Sequence, residues 1–404
     1  MSEVHPDLPP FAAVQSALVA VTDRLAAEIA APRQSAPGWS DFEWGIGRSV
    51  GVMHGLAGVL AECLQWRGPD CWAKFLAAQR HHIRLRETRA REILLRLDEA
   101  TRARGIAVVP LKGSALLGLG VHGAGVRPMS DIDLLVRPVD EAKLAEVLQS
   151  LGYRPCFATR RHAVFVPLGQ APPQVFGEHL DNSFKIEVHR ALAEPLPVSQ
   201  VEITALAWPR DAHPGANAYA SNAALFCHLM LHATGGMCTH TLRFMQLIDL
   251  ARLAPRLTRA EWAALTHDGP RGWWMYPALR MVAQFLPQAV PTDVLAATRA
   301  ACPRLLRHAR HDLATVSWTN LGIPALPGYP WARTPFELLR YARSRLLPKR
   351  QALEEIADAV AHQPALRHVP WYDQTHLTRI LRWLTSRPPR VQTLATVLAG
   401  QNWQ

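Results

Sequence analysis

Two acids set two residues apart in an otherwise apolar run constrain this chain more than any other feature. The run Asp131-Ile132-Asp133-Leu134-Leu135-Val136 reads as a strand, and strand residues two apart share a face, so both carboxylates point the same way. Upstream, a short β-rich apolar run ends at Lys112-Gly113-Ser114 and leads into a helix. Ser114 is the expected N-cap, and such a turn presents backbone N–H groups to an anion. Downstream, Phe184, Ile186 and Val188 alternate with Lys185, Glu187 and His189. If the apolar side faces a core, the other three share the accessible face. Setting this strand beside the first would gather Asp131, Asp133 and Glu187, and hard divalent cations select oxygen ligands of this kind. Two such ions about 3.5 to 4 Å apart clamp the attacking and leaving oxygens of a phosphoryl displacement.

Each part has a plainer reading. An Asp-x-Asp alone is most often a solvated strand end, a Gly-Ser before a helix is most often only a cap, and Glu187 alone is a wet-face residue. Their order in one chain favours the functional reading.

The strings Leu111-Lys112-Gly113-Ser114, Arg127-Pro128-Met129-Ser130-Asp131-Ile132-Asp133, Leu151-Gly152-Tyr153 and Glu187-Val188-His189 resemble bacterial members of the DNA polymerase β-like nucleotidyltransferase superfamily. More narrowly, they resemble a branch known simply as nucleotidyltransferase family proteins. The resemblance is specific from about Gly105 to Ala191. It implies an α+β fold, with a mixed sheet and flanking helices embedded between N- and C-terminal helical regions. It also implies Mg²⁺, or Mn²⁺, held by Asp131, Asp133 and Glu187, and nucleotide phosphates near Gly113 and Ser114. Superfamily members often carry aspartate at the third position; glutamate keeps the charge with a longer reach.

Among the accessory residues, Lys112 and Arg127 are candidates to neutralise phosphate, Arg127 through its planar donor fork. Ser130 is a candidate to fix the turn or bond a carboxylate or the nucleotide. Lys185 and His189 flank Glu187 and either reach the nucleotide or its acceptor or form a solvated charged face.

The chain has 404 residues, 49% hydrophobic content and a net charge of +11, enough for packed cores and several domains. The most tempting apolar stretch is broken by Arg48 and His54, and no leader pattern stands at the N-terminus, so a cytoplasmic protein without membrane association is expected. Six scattered cysteines without a C-x-x-C pair indicate neither a zinc site nor a disulfide framework. Seven arginines lie between Arg84 and Arg104 on an expected helix, where Glu87–Arg91 and Glu92–Arg96 have favourable i,i+4 spacing and make part of the surplus ordinary surface. A second cluster, Arg340 to Arg350, contains no acid and suits phosphates, nucleic acid or an acidic peptide, or a solvated helix end.

Four regions are expected: 1–101 helical, 102–194 the nucleotidyltransferase core, 195–321 helical and packed on the core, and 322–404 a proline-rich connection with a helical cap. His228 and His232, at i and i+4 of one helix, are a possible transition-metal pair without an evident third ligand. Arg243 and Asp249 are expected to tie the helical region to the core, and the C-terminal tryptophans, Trp371 and Trp383 among them, to pack in it. The leading function is transfer of a nucleoside monophosphate from an NTP, expected to be ATP, to a hydroxyl of a peptide, protein or small molecule, with release of pyrophosphate. The alternatives are a non-catalytic nucleotide-, peptide- or RNA-binding protein on the same fold, and an enzyme that modifies tRNA or another RNA.

Overall fold

Val14, Leu18, Val21 and Leu25 recur at helical spacing in α1 (Phe11–Ala30) and are fully buried, so one stripe of the helix faces the core. The computed structural model describes residues 8–159, 162–169, 175–197, 199–267, 272–309, 311–348, 375–385 and 389–403. Trp371, Lys349 and Arg350 lie outside them, as does the side chain of Trp383. Helix α2 (Asp41–Met53) opens on a capping box in which Ser40 and Glu43 satisfy one another's backbone N–H groups. Short α3 (Ala57–Cys63) leads to α4 (Asp70–Ala103), whose 34 residues run the length of the core.

The sheet then begins with β1 (Ala107–Pro110), α5 (Lys112–Leu119), β2 (Asp131–Val136), α6 (Glu141–Ser150), β3 (Tyr153–Ala158), β4 (His162–Pro167) and β5 (Lys185–His189). A hairpin of β6 (Ala193–Leu196) and β7 (Ser199–Glu202) and the short α7 (Thr204–Ala207) precede β8 (Gly215–Ala216). The six-stranded order is β3-β4-β5-β2-β1-β8. It is mixed: β2 runs parallel to β5 and β1 to β8, and the remaining pairs are antiparallel. The α+β architecture expected from the sequence is present. The sheet nonetheless continues to residue 216, past the expected boundary at 194, because β8 returns to the free edge of β1.

Strands β1 and β2 divide their apolar side chains between two cores. Ile132, Leu134 and Val136 of β2 and Ile186 and Val188 of β5 pack with Leu144, Val147 and Leu148 of α6 and with Ala90 and Leu97 of α4. Leu135 joins the larger helical core on the opposite face, where α8 (Asn222–Thr239) and α9 (Phe244–Leu253) follow the sheet. The C-terminal helix Val391–Gln401 packs on α2 and places Val397 in the same core as Leu18 of α1. Trp273, Trp274 and Trp331 are buried, and Trp318 and Trp403 pack against that core. All six cysteines are free, with Cys227, Cys238 and Cys302 buried. Among the described residues no helix is long and apolar enough to cross a membrane.

Candidate active site

The parallel pairing of β2 with β5 sets Asp133 directly opposite Glu187, Asp131 opposite Lys185 and Leu135 opposite His189. Alternation therefore puts Asp131, Asp133, Glu187 and His189 on one face. The Asp133 carboxylate is buried, at 4% exposure. Its Oδ1 accepts from Lys112 Nζ at 2.8 Å and from His189 Nε2 at 2.8 Å. Glu187 Oε2 lies 3.8 Å from His189 Nε2 and 4.0 Å from His162 Nε2, and Glu187 Oε1 lies 4.0 Å from Lys185 Nζ. One donor atom each from Asp133, Glu187 and His189 falls within 4.8 Å of the others. Among the described residues the Asp131 carboxylate forms no hydrogen bond or ion pair; it is half-buried, one pleat further along β2.

Electrostatics splits the two central acids. Burial alone would raise Asp133, but the Lys112 ammonium and the His189 hydrogen bond outweigh it and hold the carboxyl well below the usual range. Glu187 has no such partner. Burial first, then the charges of Asp133 and Asp131, push it up to about 7. Burial lowers His189 and so favours its neutral ring, against the Asp133 bond that would raise it. For Lys112, burial opposes the charge, and Asp133, Asp131 and Glu187 together overcome it and raise the amine.

The turn before α5 is built differently from the expected cap. Leu111 N–H donates to the Asp133 carbonyl at 2.8 Å, which docks the end of β1 beside the acids. Lys112 then takes a left-handed backbone, φ +46°, as it starts the helix. The helix thus begins at Lys112 with Leu111 at the N-cap position. Ser114 lies inside the first turn, buried, with its hydroxyl unpartnered among the described residues. Gly113 is required by close approach: a Cβ there would stand 2.4 Å from Arg127 Nη1. Ser130 is exposed beside Asp131.

Arg127 spends its fork on Asp249 of α9. Its Nε and Nη2 donate to Asp249 Oδ1 and Oδ2 at 2.8 Å each, while Nη1 donates to the Pro128 carbonyl at 3.3 Å. His122 Nε2 adds a contact of 2.8 Å to Asp249 Oδ1. Burial alone would raise the Asp249 carboxyl, and Arg127 and His122 bring it down to about 2. Asp249 thereby ties the helical region to the core, as its sequence context suggested, whereas Arg243 is exposed at the start of α9. His228 turns its Nδ1 to the Tyr219 hydroxyl at 2.6 Å, and His232 lies 3.9 Å from Glu194.

The closest partner of Asp133 besides Lys112 is His189, which the sequence left between a contact to the nucleotide or its acceptor and a solvated charged face. The signal for it was its place two residues after Glu187, on the same strand face. The basic run on α4 concealed a second residue. Arg86 is buried, donates Nη2 to the Met129 carbonyl at 2.9 Å just before β2, and pairs Nε with Glu178 at 2.6 Å.

Three oxygen- or nitrogen-bearing groups converge, and burial and the neighbouring Asp133 and Asp131 charges raise Glu187. This donor set fits a divalent cation. Acids gathered on one face of the central strands of a mixed sheet flanked by helices are an arrangement suited to phosphoryl-group chemistry. The chain belongs to a family described as uncharacterised nucleotidyltransferase, whose model matches residues 40–272, more than half of its length. It is a transferase of the nucleotidyl-transferring type. No curated protein and no solved structure matches it.

Proposed function

We propose that the protein transfers a nucleoside monophosphate from an NTP, ATP in the first instance, to a hydroxyl of a peptide, protein or small-molecule acceptor. The acceptor oxygen forms a bond to the α-phosphorus, the bond from that phosphorus to the bridging oxygen breaks, and pyrophosphate leaves. The pairing of Asp133 with Glu187 across β2 and β5 carries the reading. Asp131, Asp133 and Glu187 would hold the divalent cation, with Mg²⁺ as the ion the resemblance implies. When bound, it supplies positive charge against the triphosphate and lowers the cost of charge build-up in the displacement.

The chain's own residues account for the rest. Glu187 lies beside the metal position on the accessible face of β5 and would help take the proton that the acceptor hydroxyl must lose. Lys112 stands at the first turn of α5 with its ammonium on Asp133; moved from that carboxylate to a phosphate oxygen it would neutralise the nucleotide. The Gly113 N–H would face the phosphates. The Ser114 N–H donates to the Leu111 carbonyl at 3.0 Å, while its hydroxyl would offer the phosphate contact, and Ser130 lines the exposed approach beside Asp131. Arg127 contributes by holding α9 against this turn rather than by a free fork.

The test is transfer of label from an α-phosphate-labelled NTP to acceptors, with divalent cation present and absent. Cation-dependent labelling that disappears in Asp131→Ala with Asp133→Ala, and drops at least about 100-fold in Glu187→Gln, is expected. Labelling that survives the double substitution sinks the assignment.

A further inference from the structure

We propose that His189 is a direct ligand of the catalytic cation and that the resulting nitrogen-and-oxygen set selects Mn²⁺ over Mg²⁺. The inference rests on the nucleotidyl-transfer reading of the site and goes beyond it in naming the ion and an added ligand. For metal–ligand bonds of about 2.1 Å, adjacent donors of an octahedron stand about 3.0 Å apart and opposite donors about 4.2 Å apart. His189 Nε2 is 2.8 Å from Asp133 Oδ1 and 3.8 Å from Glu187 Oε2, and the whole set fits within 4.8 Å. The first separation is close to that of adjacent donors and the second lies between adjacent and opposite, so a small side-chain adjustment would bring the nitrogen onto one ion shared with the two carboxylates.

Two features argue that this is a built arrangement. His189 is in register one pleat beyond Glu187 on β5, so the ring is fixed by a central strand rather than by a loop. The ring also packs on His162 of β4, with centroids 5.2 Å apart, which limits its rotation. The imidazole and the Lys112 ammonium both contact Asp133 Oδ1, so two donors converge on the oxygen a cation would claim. The ring donates from Nε2 to Asp133 Oδ1; a shift of its proton to Nδ1 would turn the Nε2 lone pair toward a cation held by the two carboxylates.

The ion follows from the ligands. Mg²⁺ demands near-ideal octahedral oxygen coordination and keeps its waters. First-row transition ions accept imidazole together with carboxylate, and among them Mn²⁺ best tolerates a mostly oxygen environment.

The experiment is pulsed electron paramagnetic resonance of Mn²⁺ added to the full chain, together with titrations of Mn²⁺ and Mg²⁺. Wild type, His189→Gln, His162→Gln and Asp133→Asn are compared. A ¹⁴N coupling in wild type and His162→Gln that vanishes in His189→Gln is expected, with Mn²⁺ affinity falling about 10-fold or more in His189→Gln and Mg²⁺ affinity little changed. Should His189→Gln fail to fold, wild type and His162→Gln still decide the matter, since coupling absent from both overturns the inference. Mn²⁺ that binds through Asp133 without ¹⁴N coupling, or coupling that persists in His189→Gln, removes His189 as a ligand and leaves the nucleotidyl-transfer reading standing. Binding of neither ion to wild type, or binding of both that Asp133→Asn leaves unchanged, overturns the two together.

Discussion

Single side chains at this site carry opposite charge problems, and each leads to a measurement. Glu187 has an ordinary value of 4.5 and is pushed up to about 7 by burial and by Asp133 and Asp131. A raised folded value means that its contribution to stability is complete below about 4.5 and is lost as pH rises through about 7. In cation-free solution, urea unfolding should therefore show wild type losing on the order of 3 kcal/mol between those limits relative to Glu187→Gln. Added divalent cation should reverse the trend above pH 7, since it binds the ionised carboxylate. Parallel pH profiles for the two proteins would mean that Glu187 is not strained. Glycines in α5 make a second comparison. A Cβ at Gly113 meets Arg127 Nη1 at 2.4 Å and Met129 Sδ at 3.1 Å, and that guanidinium is pinned by Asp249. At Gly118, by contrast, nothing lies within 4 Å and φ is ordinary. Gly113→Ala should cost about 1–3 kcal/mol through overpacking, and Gly118→Ala should stabilise by up to about 1 kcal/mol. Denaturant midpoints of opposite sign in one helix would confirm that position 113 is set by contact.

Helix α4 shows how an element's period and its composition give different information. Its buried stripe includes Ile83, Arg86, Ala90 and Leu97, so the 3.6-residue repeat places Arg86 inward although its class reads as surface. The guanidinium donates to the carbonyls of Met129, His179 and Asn182, pairs with Glu178 and lies 4.2 Å from the Phe184 ring centroid. It therefore clips the stretch before β5 to the residue that leads into β2. Arg86→Ala empties a buried position, leaves half-buried Glu178 without its partner and removes the donor to three carbonyls, and should cost about 3–5 kcal/mol. Arg86→Lys should recover little of it, because an ammonium cannot span several carbonyls and a ring. Hydrogen exchange should accelerate across residues 175–184 in both; unchanged exchange would assign the clip elsewhere. The acid strands were legible for a related reason: period-two alternation fixes which residues share a face, and the face of Asp131, Asp133 and Glu187 followed from it. Pairing partners were less so. The engagement of Arg127 depends on Asp249, which is 122 residues away in sequence, and the start of α5 depends on the Leu111 bond to β2. Local patterns carry neither contact. The position of β8 failed for want of signal, since two residues, Gly215–Ala216, are too few to show a period.

Across the whole molecule, polar residues in and just after α2 tie it to the C-terminal helix and, through Thr319, to α1. Arg48 Nε donates to the Gly400 carbonyl at 2.9 Å, and Ser49 Oγ donates to that of Thr396 at 3.1 Å. His54, just after α2, is fully buried. Its Nδ1 accepts from the Phe244 N–H at 3.1 Å and its Nε2 contacts Thr319 Oγ1 at 3.0 Å, so Nε2 carries the proton of a neutral ring. Thr319 in turn meets Thr22 of α1 at 3.0 Å. Residues on both sides of the family-matched segment 40–272 thus close on one imidazole. Burial, and secondarily Arg243, push His54 down to about 3 from an ordinary 6.5. A lowered folded value for a base means that its stabilising contribution is complete above about 6.5 and is lost as pH falls toward 3, because only the unfolded chain accepts the proton there. Its direction is opposite to that of Glu187, so single variants separate the two. Gln at 54 keeps a donor and an acceptor and cannot titrate. His54→Gln should be less stable than wild type at pH 7, yet its stability should fall less between pH 6.5 and 3, by on the order of 4 kcal/mol. Urea unfolding followed by tryptophan fluorescence across that range measures it. An identical acid slope in variant and wild type would show that His54 already exchanges its proton in the folded chain, and that the ends of the molecule are not locked through it.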